Sequence, residues 1–332
     1  QIIGWFGLIS KQARRSNMLN ISTLRAFGSL LLLMLSTTTL PAAKPHYSVS
    51  RTTDYLMIFQ DGTPAVGYRI LPKSLDGKYA RNNYVDLYDL QGREITEDFP
   101  ADHLHHRGVF WAWHQVLVGG KQLGDSWECR DFIWDSKQVQ TSYSHKGVEL
   151  STTTHWSSPD LTDTQDIPVP VVREETRILV HKTRGNYRLI DFHITIQPLV
   201  NDLQLGGSEN DKGYGGFSPR LKLPADVKFW STDGVVTPMR TAVEAGPWVN
   251  VEGTFFESDL APSSFAIICH PENPVYPDKW ILRARGSMQN AAYPGQHAVA
   301  VKKDQPLVLR YRLVVQSDGH NPKRLEKLSR QF

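Results

Sequence analysis

Leu307-Val308-Leu309-Arg310-Tyr311-Arg312-Leu313-Val314-Val315 places Leu307, Leu309, Tyr311, Leu313 and Val315 on one side of an extended chain. Val308, Arg310, Arg312 and Val314 fall on the other. A period of two with one wholly apolar face is the signature of a strand packed on a core. Shorter signals of the same kind run outward from it. Tyr55 to Gln60, then Asp61-Gly62, then Ala65 to Leu71 reads as a hairpin. Tyr84 to Leu90, Gln91-Gly92 and Arg93 to Thr96 reads as a second. Phe265 to Cys269 and Trp280 to Arg285 are further strands, and Arg324 to Arg330 a short terminal helix. The Pro-rich stretch from Asp160 to Pro170 is a long loop with strand signals on both sides. This recurrence of strands without a long amphipathic helix predicts an all-β fold, a large antiparallel β-sandwich, rather than βαβ units.

The chain has 332 residues, 37 Lys+Arg against 34 Asp+Glu, and a formal net charge of +3. That is too small to mark a nucleic-acid binder. Its excess sits in residues 1–43, which hold Lys11, Arg14, Arg15 and Arg25 and no acidic residue; the remainder carries 33 basic against 34 acidic residues. Met18 opens a secretory-signal pattern: basic up to Arg25, apolar from Ala26 to Leu35, then small and polar to Ala42-Ala43. Residues 1–17 read as an upstream extension. The expected organisation is therefore extension plus signal over 1–43 and a single domain over 44–332. The apolar run is far shorter than the ~20 residues a spanning helix needs, so the mature chain is expected to be periplasmic or secreted, without a membrane anchor. Two cysteines, Cys129 and Cys269, exclude a disulfide-dense scaffold and a Cys-rich metal site; they can pair after export or remain free.

The densest polar constellation is Asp98-Phe-Pro-Ala-Asp102-His103-Leu-His105-His106-Arg107-Gly108, followed by Val109 to His114. Read as a strand, it would place His103 and His105 on one side and His106 on the other. Imidazoles suit general acid–base work, with Asp102 fixing a tautomer and Arg107 stabilising an anion. A divalent metal at His103 and His105 is the less favoured use, since spacing assigns no third ligand.

Three further stretches carry candidate ligand-binding residues. Gly124-Asp125-Ser-Trp127-Glu128-Cys129 offers an aromatic ring and carboxylates. Gly206 to Arg220 holds five glycines, for unusual dihedrals or close approach to a ligand, with Tyr214 and Arg220 as donors; it lacks the ending of a phosphate loop. Cys269-His270-Pro-Glu-Asn273-Pro reads as a rigid loop from which His270 completes the first cluster or merely ends a strand, and Arg283 follows. Trp113, Trp127 and Tyr214 are the rings expected to stack on a ligand. No Gly-x-Ser-x-Gly elbow is present for a serine hydrolase.

Thr96 to Gly108, Gly213 to Arg220, His270 to Pro274 and Leu309 to Arg312 resemble the methane oxygenase PmoA-type family, a bacterial family of uncertain function, over residues 54–320. The resemblance implies a β-sandwich similar to galactose-mutarotase-like sugar-binding domains, in settings of sugar catabolism. A methane monooxygenase subunit of that name would be an integral membrane protein, and no stretch after residue 43 is long and apolar enough to span. The leading expectation is an exported carbohydrate-active enzyme, a hydrolase or lyase on a glycoside or modified sugar. His103 or His105 would act as acid or base, and Asp102 with Asp125 or Glu128 would be the carboxylates of a two-carboxylate hydrolysis. The alternatives are a non-catalytic glycan-binding sandwich and, following the family label, a metal-dependent oxygenase. The expected partner is a small molecule or glycan, not a nucleic acid.

Overall fold

Leu307–Gln316 is the fifth of nine strands in an antiparallel sheet. The order is Ile133–Tyr143, Gly147–Ser157, Val172–His181, Tyr187–Pro198, Leu307–Gln316, Ser263–Cys269, Trp248–Gly253, Lys228–Ser231 and Gly234–Val236. Leu307, Leu309, Tyr311, Leu313 and Val315 are all buried. The mixed face is covered at one end by the helix Pro322–Arg330, whose Leu325 and Leu328 pack with Val314. Arg312 Nη1 donates to the Leu328 carbonyl at 3.3 Å. The helix begins two residues before the expected Arg324 because Asn321 caps it, accepting from Arg324 N at 3.0 Å, with Pro322 in the first turn.

A second nine-stranded sheet runs in the order Tyr47–Arg51, Tyr55–Gln60, Thr63–Arg69, Val85–Leu87, Val109–Trp113, Gly215–Pro219, Asn290–Ala292, Lys279–Ile281 and Val243–Glu244. The two sheets face each other through one apolar core. Across it, Trp111 meets Phe192 edge-on at 6.2 Å, Phe192 meets Phe217 at 5.1 Å, and Phe217 stacks on Tyr311 at 4.4 Å. The computed structural model describes residues 46–332, which lie within one compact unit. The predicted extension and signal over 1–43 lie outside the described residues. Among the described residues no helix is long and apolar enough to cross a membrane.

The all-β antiparallel sandwich follows the alternation in the sequence, with local differences. In the first hairpin, Gln60 pairs with Thr63 across Asp61 and Gly62, both with positive φ, as a two-residue turn requires. The second is looser. Its strand shrinks to Val85–Leu87, because Asp89 takes the backbone N–H groups of Gln91 and Arg93 that a ladder would have used. The strand expected over Trp280 to Arg285 is Lys279–Ile281, since Arg283 N is claimed by the Gln289 side chain. Thr162 and Pro168 form an isolated bridge within the Pro-rich loop. Cys129 and Cys269 are both free thiols, Cys269 buried in the core.

Phe217 is fully buried between rings of the opposite sheet. Phe217→Ala is expected to lower the unfolding free energy by about 3–5 kcal/mol, measured by urea denaturation. A loss under about 1 kcal/mol would mean that this column does not hold the sheets together.

Candidate functional site

Strand Val109–Trp113 is buried on both faces. Val109, Trp111 and Trp113 enter the sandwich core, while Phe110 and Ala112 turn to the opposite face. There they join a smaller apolar cluster with Tyr84, Trp127, Ile281, Met288 and Ala292. Above this floor lies a cavity of about 230 Å³. The histidine loop lines it with His103, His105 and His106, the turn after Gly124 with Trp127 and Glu128, and the glycine-rich loop with Ser208, Asn210, Lys212 and Tyr214. His114, Ser287 and Met288 complete it.

The histidine loop is not a strand. Asp98 and Arg107 form an isolated bridge at its base, and the chain between them makes two consecutive turns. His103 N donates to the Pro100 carbonyl at 3.0 Å and His106 N to that of His103 at 2.9 Å. A three-residue step replaces the expected two-residue one, so it is His103 and His106 that share a side. Their rings stack at 4.7 Å and 2°, and His105 stands edge-on to both at 5.7 and 4.5 Å. The loop comes so close to its neighbour that a Cβ at Gly108, where φ is +33°, would lie 2.1 Å from the Val85 carbonyl oxygen.

One arginine, directly after the strand Gly215–Pro219, organises the loop. Arg220 Nη2 donates to Asp102 Oδ1 at 2.7 Å, Nη1 to Oδ2 at 3.2 Å, and Nε to Glu97 Oε2 at 2.5 Å. Asp102 Oδ2 accepts from His103 Nδ1 at 2.9 Å. Burial acts to raise the Asp102 carboxyl, but the hydrogen bonds from Arg220 and His103 outweigh it and hold the group below the usual carboxylate range. An ionised carboxylate only accepts, so neutral His103 carries its proton on Nδ1 and leaves Nε2 as a base. His105 Nδ1 faces Glu128 Oε2 at 3.3 Å. Burial, then the charge on Arg81, pushes its pKa down to about 3. Burial also takes His106 well below its ordinary value, with His105 and His103 adding to it. Its Nδ1 lies 3.5 Å from Arg220 Nη1, a donor, so its proton sits on Nε2.

The other walls are built locally. Asp125 Oδ1 accepts from Trp127 N and Glu128 N, both at 2.9 Å, a side-chain turn that sets Trp127 and Glu128. Asp125 Oδ2 holds His114 Nδ1 at 3.0 Å. His114 and Tyr214 both lie nearly parallel to Trp127, at 5.4 and 5.9 Å. In the glycine-rich loop the missing side chains admit backbone rather than ligand: a Cβ on Gly207 would lie 2.4 Å from the Gly213 carbonyl oxygen. Ser208 N donates to the Tyr214 carbonyl and Tyr214 N to Ser208 Oγ, folding the loop back on itself.

Several sequence-predicted residues stand elsewhere. Arg107, expected to stabilise an anion, is fully buried; it donates to the carbonyls of Leu104, His106 and Tyr79 and pairs with Asp98 at 3.0 Å, so its charge is spent inside the loop. Trp113 is in the core, its Nε1 donating to the Tyr293 carbonyl. Trp127 lines the cavity but is only 2% exposed, too little open ring for a sugar to stack on. Arg283 stands behind Tyr214, donating to its hydroxyl at 2.8 Å and to the carbonyls of Met239, Leu282 and Arg240. His270 packs edge-on to Phe332, and Asn273 clamps the backbone of Arg310 through both its amide atoms; neither lines the cavity. Conversely, Arg81 escaped notice in the sequence. It is 2% exposed, lies 4.7 Å from the Phe110 ring, and donates to the carbonyls of Ser126 and Trp127. Ser287 and Met288 had no motif to announce them. His114, Asn210 and Lys212 lay within quoted stretches, and only their side-chain direction was missing.

Among the described residues no group of three or more His, Cys, Asp or Glu side chains is placed to hold a metal ion. The three imidazoles are packed ring against ring, with no third ligand group among the described residues placed beside them to complete a metal site. No step is derived through a metal. Residues 56–330 match a family described as a family of unknown function (DUF6807), and the chain belongs to that family. The match covers nearly the span of the PmoA-type resemblance, but nothing in it links the chain to a methane oxygenase. No curated protein matches the chain.

His105 titrates near its ordinary 6.5 when the chain is unfolded and at about 3 when folded. Between these values the unfolded chain binds the proton and the folded one does not, so this residue's contribution to stability falls as pH falls. Buried Asp86, raised to about 7 chiefly by burial, opposes it, since its contribution is lost as pH rises. Comparing His105→Gln with the wild type separates the two. The variant's unfolding free energy should decline less steeply between about pH 6 and about pH 4, by roughly 1 kcal/mol per pH unit, in urea titrations. Equal slopes would show that His105 is not held neutral.

Proposed function

We propose that this family member is an exported carbohydrate-active enzyme that performs proton-transfer chemistry on a small hydroxylated ligand, with His103 as general base. The observation that carries this reading is the Asp102–His103 pair at 2.9 Å, clamped by Arg220, at the edge of a polar cavity. At about 230 Å³ the cavity is smaller than the roughly 300–1,000 Å³ of sites for drug-sized ligands, which suits a single sugar ring. Its lining mixes polar side chains that can meet hydroxyl groups, His103, His105, Glu128, Ser208 and Asn210. Asp102 orients His103, and Arg220 is a positioning residue acting through Asp102. Tyr214, whose oxygen accepts from Arg283, keeps its own O–H proton free to donate.

Among hydrolase and lyase, the geometry favours the lyase. Asp102 is committed to Arg220 and His103, and of the two carboxylates that paired hydrolysis needs only Glu128 remains beside the cavity. A base with one hydroxyl donor is the equipment for elimination. The non-catalytic glycan-binding reading is favoured by a different observation: His105 and His106 are held neutral by burial and so offer hydrogen bonds rather than acid catalysis. Export rests on the signal pattern of residues 18–43.

The test is turnover of a panel of glycosides and sugar acids followed by proton NMR. His103→Gln should lower kcat by about 10²–10⁴-fold with the melting temperature little changed, because His103 is half exposed and the Arg220–Asp102 clamp does not depend on it. Asp102→Asn should lower kcat less and shift its pH profile. Turnover unaffected by His103→Gln would remove the base from this position, and binding without turnover across the panel would favour the glycan-binding reading.

A further inference from the structure

The cavity has one positive charge that no carboxylate among the described residues neutralises. Arg220 is consumed by Glu97 and Asp102, and Arg283 by carbonyls and the Tyr214 hydroxyl. Arg81 and Arg107 are turned into the backbone. Lys212 is different. Its backbone N–H is fixed by Asn210 Oδ1 at 3.0 Å, and its Nζ stands 5.5 Å from the centre of the Tyr214 ring. The adjacent carboxylate, Asp211, is taken by Arg240. Among the described residues no carboxylate pairs with Lys212, although it lines the cavity. Of the histidines around it, His105 and His106 add no competing charge, since burial holds both neutral.

From this unpaired cation beside a base, and resting on the enzymatic reading above, we infer that the ligand is a sugar acid whose carboxylate is held by Lys212, with the carbon next to that carboxylate facing His103. The chemistry requires both groups together. A proton on an ordinary sugar carbon is not acidic enough for an imidazole to remove. One beside a carboxylate becomes so when a cation neutralises the charge that develops on the carboxylate oxygens. The step balances without an oxidant or reductant. His103 Nε2 takes the proton, the C–H electron pair becomes a carbon–carbon double bond, the neighbouring C–O bond breaks, and the leaving oxygen takes the Tyr214 proton. Solvent then returns the proton of His103 to Tyr214.

The test is isothermal titration calorimetry of the purified protein with D-glucuronate, D-galacturonate and D-mannuronate, each against its neutral parent sugar. At least one uronate should bind about tenfold or more tightly than its parent, the worth of a hydrogen-bonded charge. Lys212→Met should collapse that preference to about twofold or less, and Lys212→Arg should restore part of it. Equal binding of acid and neutral sugar, or a preference that survives Lys212→Met, overturns this inference and leaves the sugar pocket standing. No binding of any of the six overturns the inference and the sugar pocket together.

Discussion

Arg220 is the point at which fold and site become the same problem. Its N–H donates to the Gly108 carbonyl and its own carbonyl accepts from Glu97 N, so its backbone grips both ends of the histidine loop. Its side chain is 3% exposed and therefore needs negative partners, because an unpaired buried charge costs several kcal/mol. Glu97 and Asp102, on that same loop, supply them. The requirement to compensate one buried guanidinium thus fixes the position of Asp102, and Asp102 in turn fixes His103. Gly286 is part of the same constraint, since a Cβ there would fall 2.7 Å from Asp102 Oδ2.

The two arginines of the region solve different problems. Arg107 lies over the Phe99 ring at 3.3 Å and satisfies backbone carbonyls that two tight turns leave without partners. Arg220, just past its strand, reaches to carboxylates. Sequence proximity to the histidines favoured Arg107 as the functional member, whereas the assignment is decided by what each guanidinium must satisfy. Burial holds the neighbouring imidazoles neutral, and buried arginine charge adds to it, from Arg81 on His105 and from Arg220 and Arg81 on His106. The cavity is lined mostly by oriented dipoles, with the Glu128 carboxylate and the Lys212 ammonium group among them.

The sandwich was legible because alternation along a half-buried strand is imposed by the geometry of the backbone itself. Leu307 to Val315 and the Asp61-Gly62 turn could be read directly, as could the terminal helix apart from its Asn321 cap. The His-rich stretch was legible as a cluster, and so were the glycine-rich loop and the Asp125 turn, but not the directions of their side chains. Those directions depend on hydrogen bonds between residues more than 100 positions apart, such as Arg220 to Asp102. Trp113 and Trp127 show the same limit. Both are large rings in suggestive places, yet parity on one strand sends Trp113 into the core, and His114 and Tyr214 close over Trp127.

This closure changes what the aromatic residues contribute to recognition. With Trp127 nearly sealed, its ring supports His114 and Tyr214 instead of offering a stacking surface, and Arg283 fixes the Tyr214 hydroxyl from behind. Selection must then come from the pattern of donors and acceptors around a small cavity, where each mismatched polar group leaves a partner unpaired at a cost of about 1–3 kcal/mol. On the proposed reading, such a site would discriminate between sugars by hydroxyl stereochemistry more sharply than a stacking platform does, because every ring has a face but only one isomer fits a given set of fixed dipoles. The rigid loops on which these dipoles stand, each folded by contacts to its own backbone, are what that discrimination demands.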